Sequence, residues 1–220
     1  MVLTYQELND MAQKIVDEYR SPNDHPYINV NIEELFKKLY NLKFKFCDLS
    51  GNSSVLGLFS SIPIRFTIKE NGISTLIQLD GQTALIDESL LQDKYTGRRN
   101  FTIAHEGAHY ILKHIPGAPW IAYRETIDKG IVTDWAEWQA NTLASCLLMP
   151  ENSVRYIFWS FYGSEHLERI SPFNEELFCP FVAMADYFGV SKEALAIRLK
   201  KMGLVDDVML SATISIFKED

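Results

Sequence analysis

Apolar residues near the start of the chain recur every three or four positions, as on one face of a helix: Leu8, Met11, Ile15 and Tyr19. Thr4 followed by Glu7 fits a capping box, so the pattern predicts an amphipathic helix over 4–20. Asn31 with Glu34 repeats the capping pattern and predicts a second helix. The chain is therefore predicted to begin with two helices.

The pattern then changes to short β-branched and apolar runs at 44–46, 64–68 and 74–79. Asn71-Gly72 between the last two runs favours a hairpin turn. We expect a small, mainly antiparallel sheet whose open edge can accept an extended peptide as an added strand. A sheet that only packs against helices is the alternative.

Helical spacing returns over 98–114, where small and apolar residues form one stripe, and again over 135–148. The segment 115–134 between them contains Pro116, Pro119 and Gly130 and is predicted to be a long loop. Long loops in compact domains are often functional, so this loop is a candidate to border a site.

The pattern near the C-terminus predicts a helix over 180–188, a turn over 189–191 and a helix over 192–202 that Gly203 ends. A packed helical hairpin is the favoured interpretation. The alternative is a DNA-binding helix-turn-helix, for which the segment offers basic residues but no clear base-reading side chains: Lys192, Arg198, Lys200 and Lys201. For the aromatic run at 156–162 we favour core packing over a partner-docking patch.

Composition and charge narrow the class of protein. Apolar residues make up 47% and charged residues 23% of 220 residues, which favours a globular chain with one core and excludes fibrous and disordered classes. The net charge of −8 argues against broad contact with nucleic acid phosphates, so no direct nucleic acid partner is expected.

Three cysteines, Cys47, Cys146 and Cys179, form no C-x-x-C pair, which indicates reduced thiols and a reducing compartment. The N-terminus lacks the basic and apolar regions of a signal peptide. No stretch approaches the roughly 18 apolar residues of a spanning helix. We therefore expect a cytoplasmic protein without a membrane partner.

The strongest chemical signal is the H-E-x-x-H pattern that begins at His105. On a helix, His105 and His109 lie about one turn apart on the same side, so both rings can bind one metal ion. Glu106 follows the first histidine and can reach a water molecule without binding the metal, as a general base must. Two surface histidines on an amphipathic helix are the alternative.

A catalytic zinc usually takes three protein ligands, so a third ligand is needed. His114 fails, because it lies about 140° from His109 around the helix. Glu137 is the better candidate, since it shares one face of the predicted helix with small residues, and Asp134 is the reserve. Asn141, one turn after Glu137, is predicted to accept a hydrogen bond from a ligand histidine and fix its tautomer.

Three blocks together resemble the ImmA/IrrE-type metallopeptidases: 99–110, then 137–141 with 147–151, then 188–191 with 194–199. The resemblance implies an α+β, gluzincin-like metallopeptidase domain with a small antiparallel sheet beside the histidine helix and a C-terminal helical hairpin. We expect one such domain over 1–220. Its expected parts are N-terminal helices over 1–42, the sheet and zinc-site helices over 43–150, and a helical region over 151–220.

The resemblance also implies a Zn²⁺ cofactor held by His105, His109 and Glu137, with Glu106 catalytic. The substrate would be a protein, in such families often a helix-turn-helix repressor, here expected to be encoded nearby. The chain departs from the family pattern in two ways. Gly107 stands where a larger apolar residue is common, and no separate N-terminal DNA-binding domain is apparent.

The predicted activity is therefore zinc-dependent hydrolysis of a peptide bond, with Glu106 carrying the proton. Tyr123 and Arg124 in the long loop are candidates to stabilise the oxyanion. Two alternatives stay open. The chain can bind and sequester a transcription regulator without cutting it, or it can contact DNA through residues 180–203.

Overall fold

A computed structural model describes residues 2–21, 29–49, 55–60, 62–70, 73–115 and 132–211. These residues form a mixed α+β fold. The helices are α1 (Tyr5–Tyr19), α2 (Ile32–Tyr40), α3 (Thr96–Leu112), α4 (Val132–Leu148), α5 (Glu151–Tyr162), α6 (Glu175–Phe188) and α7 (Lys192–Lys201). The strands are β1 (Lys43–Cys47), β2 (Gly57–Phe59), β3 (Ile64–Glu70), β4 (Ile73–Leu79), β5 (Thr83–Asp87), β6 (Leu167–Ile170) and β7 (Val205–Val208). Two short 3₁₀ helices, Glu88–Leu91 and Asp93–Tyr95, lead into α3.

The first two helices begin where their capping residues predict. The Thr4 side chain accepts a hydrogen bond from the Glu7 backbone, and the Glu7 carboxylate accepts one from the Thr4 backbone at 2.8 Å. Asn31 Oδ1 accepts a hydrogen bond from the Glu34 backbone at 3.2 Å. Each cap satisfies N–H groups that the first helical turn leaves without partners, which fixes where the helix starts.

The strand pairing in this region is mainly antiparallel, as predicted, but it includes one parallel pair and is divided into two sheets. In the three-stranded sheet, ordered β1-β5-β2, the pair β1–β5 is parallel and only β2–β5 is antiparallel. Strands β3 and β4 form a separate antiparallel ribbon, as predicted, while the Asn71-Gly72 turn lies outside the described residues. The predicted runs correspond to β1, β3 and β4, whereas β2 and β5 were not predicted. The parallel pair joins segments far apart in the chain, which local spacing cannot reveal.

The C-terminal third also differs from its predicted boundaries. Helix α6 begins at Glu175 rather than at Pro180, which lies inside the helix. Strands β6 and β7 pair in parallel around α6 and α7, and the sequence pattern did not predict them. Gly203 adopts φ +69° after α7, as expected of a residue that ends a helix.

The favoured core-packing interpretation of the aromatic run at 156–162 is wrong for several of its members. Phe158 is fully buried, but Tyr156, Trp159 and Phe161 are 40%, 58% and 46% exposed. The run lies on α5, and the 3.6-residue period of a helix spreads consecutive aromatic residues around the helix axis. When only one side of a helix packs against the core, some residues of an uninterrupted apolar run are therefore exposed to solvent.

Helix α3 packs closely against α2, as the contact at Gly107 shows. A side chain at Gly107 would overlap the ring of Phe36 on α2. Phe36 is fully buried and therefore occupies the space that a larger residue at 107 would need. This packing accounts for the glycine in mid-helix, which costs about 1 kcal/mol relative to alanine in helix propensity.

The side chain of Arg198 on α7 is buried, with 1% of the residue exposed. Its guanidinium donates to the Met149 carbonyl at 3.1 Å, to Cys146 Sγ at 3.2 Å, to Asn9 Oδ1 at 2.7 Å and to the Tyr5 hydroxyl. These contacts join α7 to α1 and to the end of α4. They also remove Arg198 from the basic residues that the sequence offered for contact with DNA.

All three cysteines are free thiols, as expected, with Cys47 and Cys146 buried. Among the helices of the described ranges, none has both the length and the apolar composition needed to cross a membrane.

Candidate metal centre

The two histidines of the H-E-x-x-H pattern face each other on α3. His105 Nε2 lies 3.1 Å from His109 Nε2, and the two ring planes are nearly perpendicular at 87°. The residues are four apart, so the helix places them one turn from each other on the same side. The structure therefore brings these two predicted ligands together.

Helix α4 supplies the third predicted ligand. Glu137 Oε2 lies 3.2 Å from His105 Nε2, and Glu137 Oε1 lies 3.4 Å from His109 Nε2. Ala140 and Ala144 on α4 are fully buried, and their small side chains let α4 approach α3 closely. One carboxylate thus faces both imidazoles across the contact between the two helices.

The separations between these atoms fit a metal ion. A tetrahedral zinc with bonds of about 2.0–2.1 Å holds its ligand atoms about 3.3 Å apart. The two Nε2 atoms are 3.1 Å apart, and those of His105 and His109 lie 3.2 and 3.4 Å from the two different oxygens of Glu137. The side chains of His105, His109 and Glu137 are 18%, 24% and 30% exposed, so one side of the cluster is open to a further ligand. A catalytic zinc site needs such an open position, whereas a structural site is closed.

Asn141 lies beside His105, as the sequence predicted. His105 Nδ1 donates to Asn141 Oδ1 at 3.0 Å. A neutral imidazole with its proton on Nδ1 has its lone pair on Nε2, the atom that faces Glu137 and His109. The hydrogen bond therefore orients the ring and leaves Nε2 able to bind a cation.

The charges of the cluster favour a cation. Burial alone raises the pKa of Glu137, but hydrogen bonds from His105 and His109, when their Nε2 atoms carry protons, outweigh it and lower the pKa to about 2. Burial lowers the pKa of His105, and the opposing effects of Glu137 and Glu106 raise it overall. The carboxylate thus stays ionised, and positive charge between the rings is stabilised.

Glu106 lies behind the cluster, against strand β2. It is 7% exposed, and the Phe59 backbone N–H donates to its carboxylate. Burial raises the pKa of Glu106, and the nearby rings of His105 and His109 only partly oppose this shift. Glu106 is therefore held apart from the three converging ligand atoms, in surroundings that make it a better proton acceptor than an exposed carboxylate.

Strand β2 was missed as a neighbour of the site. A side chain at Gly57 would overlap the Glu106 carboxylate and come within 2.8 Å of Thr102 Cγ2, so the strand lies directly against α3. The available signal was a glycine inside a short apolar run, because glycine in a strand often marks close approach of another group.

The remaining predicted site residues are placed as follows. His114 Nδ1 contacts the Tyr110 carbonyl at 2.9 Å and takes no part in the cluster. Helix α4 includes Asp134, but its side chain lies outside the described part of the structure, as do Tyr123 and Arg124. Among the described residues, His105, His109 and Glu137 form a group whose ligand atoms all lie within 4.8 Å of one another.

Strand β2 lies at the edge of its sheet next to this cluster, and no further strand pairs with it among the described residues. It is the last strand in the order β1-β5-β2. The Asp87 N–H donates to the Leu56 carbonyl at 2.8 Å, so the peptide groups of Leu56 and Leu58 face β5. Peptide groups alternate along an antiparallel pair, so those of Gly57 and Phe59 point away from β5. The site thus combines a cluster that could hold a metal ion, a buried carboxylate and the edge of a sheet.

This combination is typical of a metal-dependent hydrolase that acts on an extended chain. The sequence matches the model of the peptidase M78 family, described as the IrrE N-terminal-like domain, over residues 90–200. The chain therefore belongs to this family. The matched region contains all five residues predicted for the site, His105, Glu106, His109, Glu137 and Asn141.

A solved structure of a Mycobacterium tuberculosis transcriptional regulator is similar to this chain, with a TM-score of 0.50 and 14% sequence identity. The likeness covers 88% of this chain and 55% of that one, so this chain spans little more than half of the regulator's length. At this identity the likeness concerns the fold alone. No curated protein sequence matches the chain at a significant level.

Proposed function

We propose that this chain is a zinc-dependent endopeptidase that cleaves another protein. The observation that carries the proposal is the convergence of His105, His109 and Glu137, whose ligand atoms all lie within 4.8 Å of one another. Glu106 stands beside them without entering the group. Membership of the peptidase M78 family supports the same reaction class.

In this proposal His105, His109 and Glu137 hold the zinc, and Asn141 keeps the His105 ring in the binding tautomer. Zinc in such a site supplies Lewis acidity, which makes water more acidic and polarises a carbonyl group. Glu106 accepts the proton of the attacking water and passes it to the leaving amine. The buried position of Glu106 keeps its carboxylate from binding the metal itself.

The free edge of β2 orients the substrate. An extended segment that pairs antiparallel to β2 forms hydrogen bonds with the outward peptide group of Gly57 and with the Phe59 carbonyl, because the Phe59 N–H already donates to Glu106. The same strand contacts Glu106, so pairing places the substrate backbone next to the proton carrier. Main-chain pairing of this kind accepts many sequences, and selectivity must come from side-chain pockets.

For the substrate we propose a helix-turn-helix repressor encoded near this protein's gene, whose cleavage relieves repression. This part rests on the resemblance to ImmA/IrrE-type peptidases. The gluzincin-like arrangement, with a glutamate from a second helix as third ligand, belongs to the same proposal.

The experiment compares the wild type, Glu106→Gln and the exposed control Glu175→Gln. Each protein is loaded with zinc, its bound metal is measured, and it is incubated with the neighbouring repressor and with a mixture of unstructured peptides. We expect one zinc per chain in all three proteins, and fragments with the wild type and the control only. The rate with Glu106→Gln should fall by about 10²–10⁴-fold, the usual contribution of a general base.

Equal cleavage by Glu106→Gln would remove Glu106 from the proposed mechanism. A stable complex between the wild type and the repressor, with no fragment from repressor or peptides, would replace the proposed peptidase with a sequestering regulator.

A further inference from the structure

A groove of about 660 Å³ extends from the metal centre along the N-terminal half of α3. Its apolar surface comes from Phe101 on α3, Trp138 on α4 and Ile197 on α7. Asn141 also lines it, and Asn141 accepts the hydrogen bond of His105. We call it the α7 groove. It adjoins the candidate metal site at Asn141, while His105, His109 and Glu137 do not line it.

Packing of β2 against α3 fixes which part of a substrate lies over this groove. Gly57, the first residue of β2, lies against Thr102 and Glu106. Phe59, the last, has its ring centroid 5.8 Å from that of Tyr110 and 4.9 Å from Lys113 Nζ. Strand β2 therefore runs in the same direction as α3, from its middle toward its C-terminal end.

A substrate that pairs antiparallel to β2 runs in the opposite direction. Its residues before the cleaved bond lie toward Lys113, and its residues after the bond lie toward Phe101. The α7 groove is at this second end. Antiparallel pairing is also the arrangement that β2 already has with β5, and it is slightly more stable per residue than parallel pairing.

We propose that the α7 groove is the specificity pocket of this protein and accepts a large apolar side chain of the substrate on the C-terminal side of the cleaved bond. The inference rests on the proposed function. The volume lies within the range of about 300–1,000 Å³ typical of ligand pockets. Most of the lining surface is apolar, and Arg98, Glu193 and Lys201 also line the groove.

The α7 wall of the groove is fixed in place. Arg198 lies on α7 next to Ile197 and is bound on its buried side to Met149, Asn9 and Tyr5. At the rim, Lys201 Nζ lies 5.5 Å from the Tyr5 ring centroid and 6.0 Å from that of Trp138. A pocket with a fixed wall selects side chains by size, because it cannot expand at low cost.

The test uses a pair of peptidyl hydroxamates that differ only in the side chain next to the zinc-binding group, benzyl or methyl. Their binding to the zinc-loaded wild type is measured by calorimetry. We expect the benzyl compound to bind at least about tenfold more tightly, as one large apolar group in a matching pocket commonly allows.

Ile197→Trp fills the groove from its rim, where Ile197 is 51% exposed and the larger ring need not disturb the core. The benzyl preference should fall to about threefold or less, since a filled pocket loses the contact it made with the larger side chain. Ile73→Trp, at a residue 69% exposed on β4 and outside the groove, should keep the wild-type preference. Ile197→Asp is a second variant. It should bind a third hydroxamate, with an aminobutyl side chain, more tightly than the benzyl compound.

An unchanged benzyl preference in both Ile197 variants would overturn the assignment of the groove. A cleavage-site map of the peptide mixture provides a second readout. Selectivity for large residues before the cut, rather than after it, would also overturn it. If the hydroxamates show the expected preferences but no peptide or repressor is cleaved, the groove assignment stands and the proposed peptidase activity fails.

Discussion

Two clusters of polar side chains in this protein, one partly buried and one fully buried, have opposite requirements. At the metal centre, His105, His109 and Glu137 direct electron-rich atoms at one point from α3 and α4. In the other cluster, the guanidinium of Arg198 directs its N–H groups at acceptors on four sides. The guanidinium is satisfied by the protein itself, whereas the three converging ligands need a cation.

The comparison separates a structural role from a functional one. Buried polar groups are costly unless they find partners, so a set of donors with matched acceptors stabilises the folded state by itself. Where acceptors face one another, an added cation increases the stability of the folded state most. The guanidinium cluster should therefore determine the stability of the metal-free protein, and the metal cluster should determine how stability responds to zinc.

The largest expected effect is that of zinc on the wild type. Free zinc at a thousandfold excess over its dissociation constant stabilises a folded protein by about 4 kcal/mol if the unfolded chain does not bind it. Glu137→Ala should lose most of this response. Urea unfolding at matched free zinc measures both proteins. An equal response in Glu137→Ala would show that the ion binds elsewhere.

Next in size is the loss of the guanidinium. Arg198→Met leaves Asn9 Oδ1, the Tyr5 hydroxyl and the Met149 carbonyl without their donor, which should lower the free energy of unfolding by about 3 kcal/mol or more. Urea unfolding of the metal-free protein measures this change. The folded variant should still bind one zinc. Wild-type stability in Arg198→Met would contradict a structural role for the cluster.

Substitutions of Asn141, beside the metal ligands, and of Asn9, beside Arg198, test the two clusters separately, and their expected effects are smaller. Asn141→Ala should lower zinc affinity about 10–100-fold, the usual effect of a group that orients a metal ligand. It should hardly change the stability of the metal-free protein, because Asn141 is exposed. Asn9→Ala should do the reverse, with a loss of about 1–3 kcal/mol in stability and unchanged zinc affinity.

The crossed pattern is read from zinc titrations and urea unfolding of both asparagine variants. If each variant changed stability and zinc affinity to a similar extent, the two clusters would be coupled, and the distinction between them would not hold.

The smallest expected effect comes from Gly107→Ala, which alters the helix of the metal ligands without touching a ligand. The added methyl group overlaps Phe36, and overpacking of about 1–3 kcal/mol should exceed the gain of about 1 kcal/mol in helix propensity. Phe36→Leu in the same chain should recover part of the loss. An increase in stability caused by Gly107→Ala alone would show that the Phe36 ring moves aside at low energetic cost.

The sequence could predict the features that depend on local spacing. The capping residues gave the starts of α1 and α2, and the four-residue spacing of His105 and His109 gave their common side of α3. Glu137 and Asn141 were chosen as one face of a helix, and both lie beside the histidines in the structure. Their assigned roles in metal binding stay predictions.

What the sequence could not predict depends on pairs far apart in the chain. The parallel pairing of β1 with β5 and the contact of Gly57 with Glu106 arise only when distant segments meet. Arg198 was counted among the basic surface residues because the sequence around it gives no sign of its acceptors on α1. Burial of a charged residue is decided by tertiary partners, which a single sequence does not reveal.

The clamp around Arg198 has a consequence for the newly synthesised chain. Its guanidinium comes from α7, two of its acceptors, Asn9 and the Tyr5 hydroxyl, come from α1, and α4 carries both Cys146 and the third ligand Glu137. A nascent chain on the ribosome that has not yet released α7 lacks this connection and one wall of the groove. The protein should thus acquire this stabilising connection, and the selectivity proposed for the groove, only after α7 has emerged.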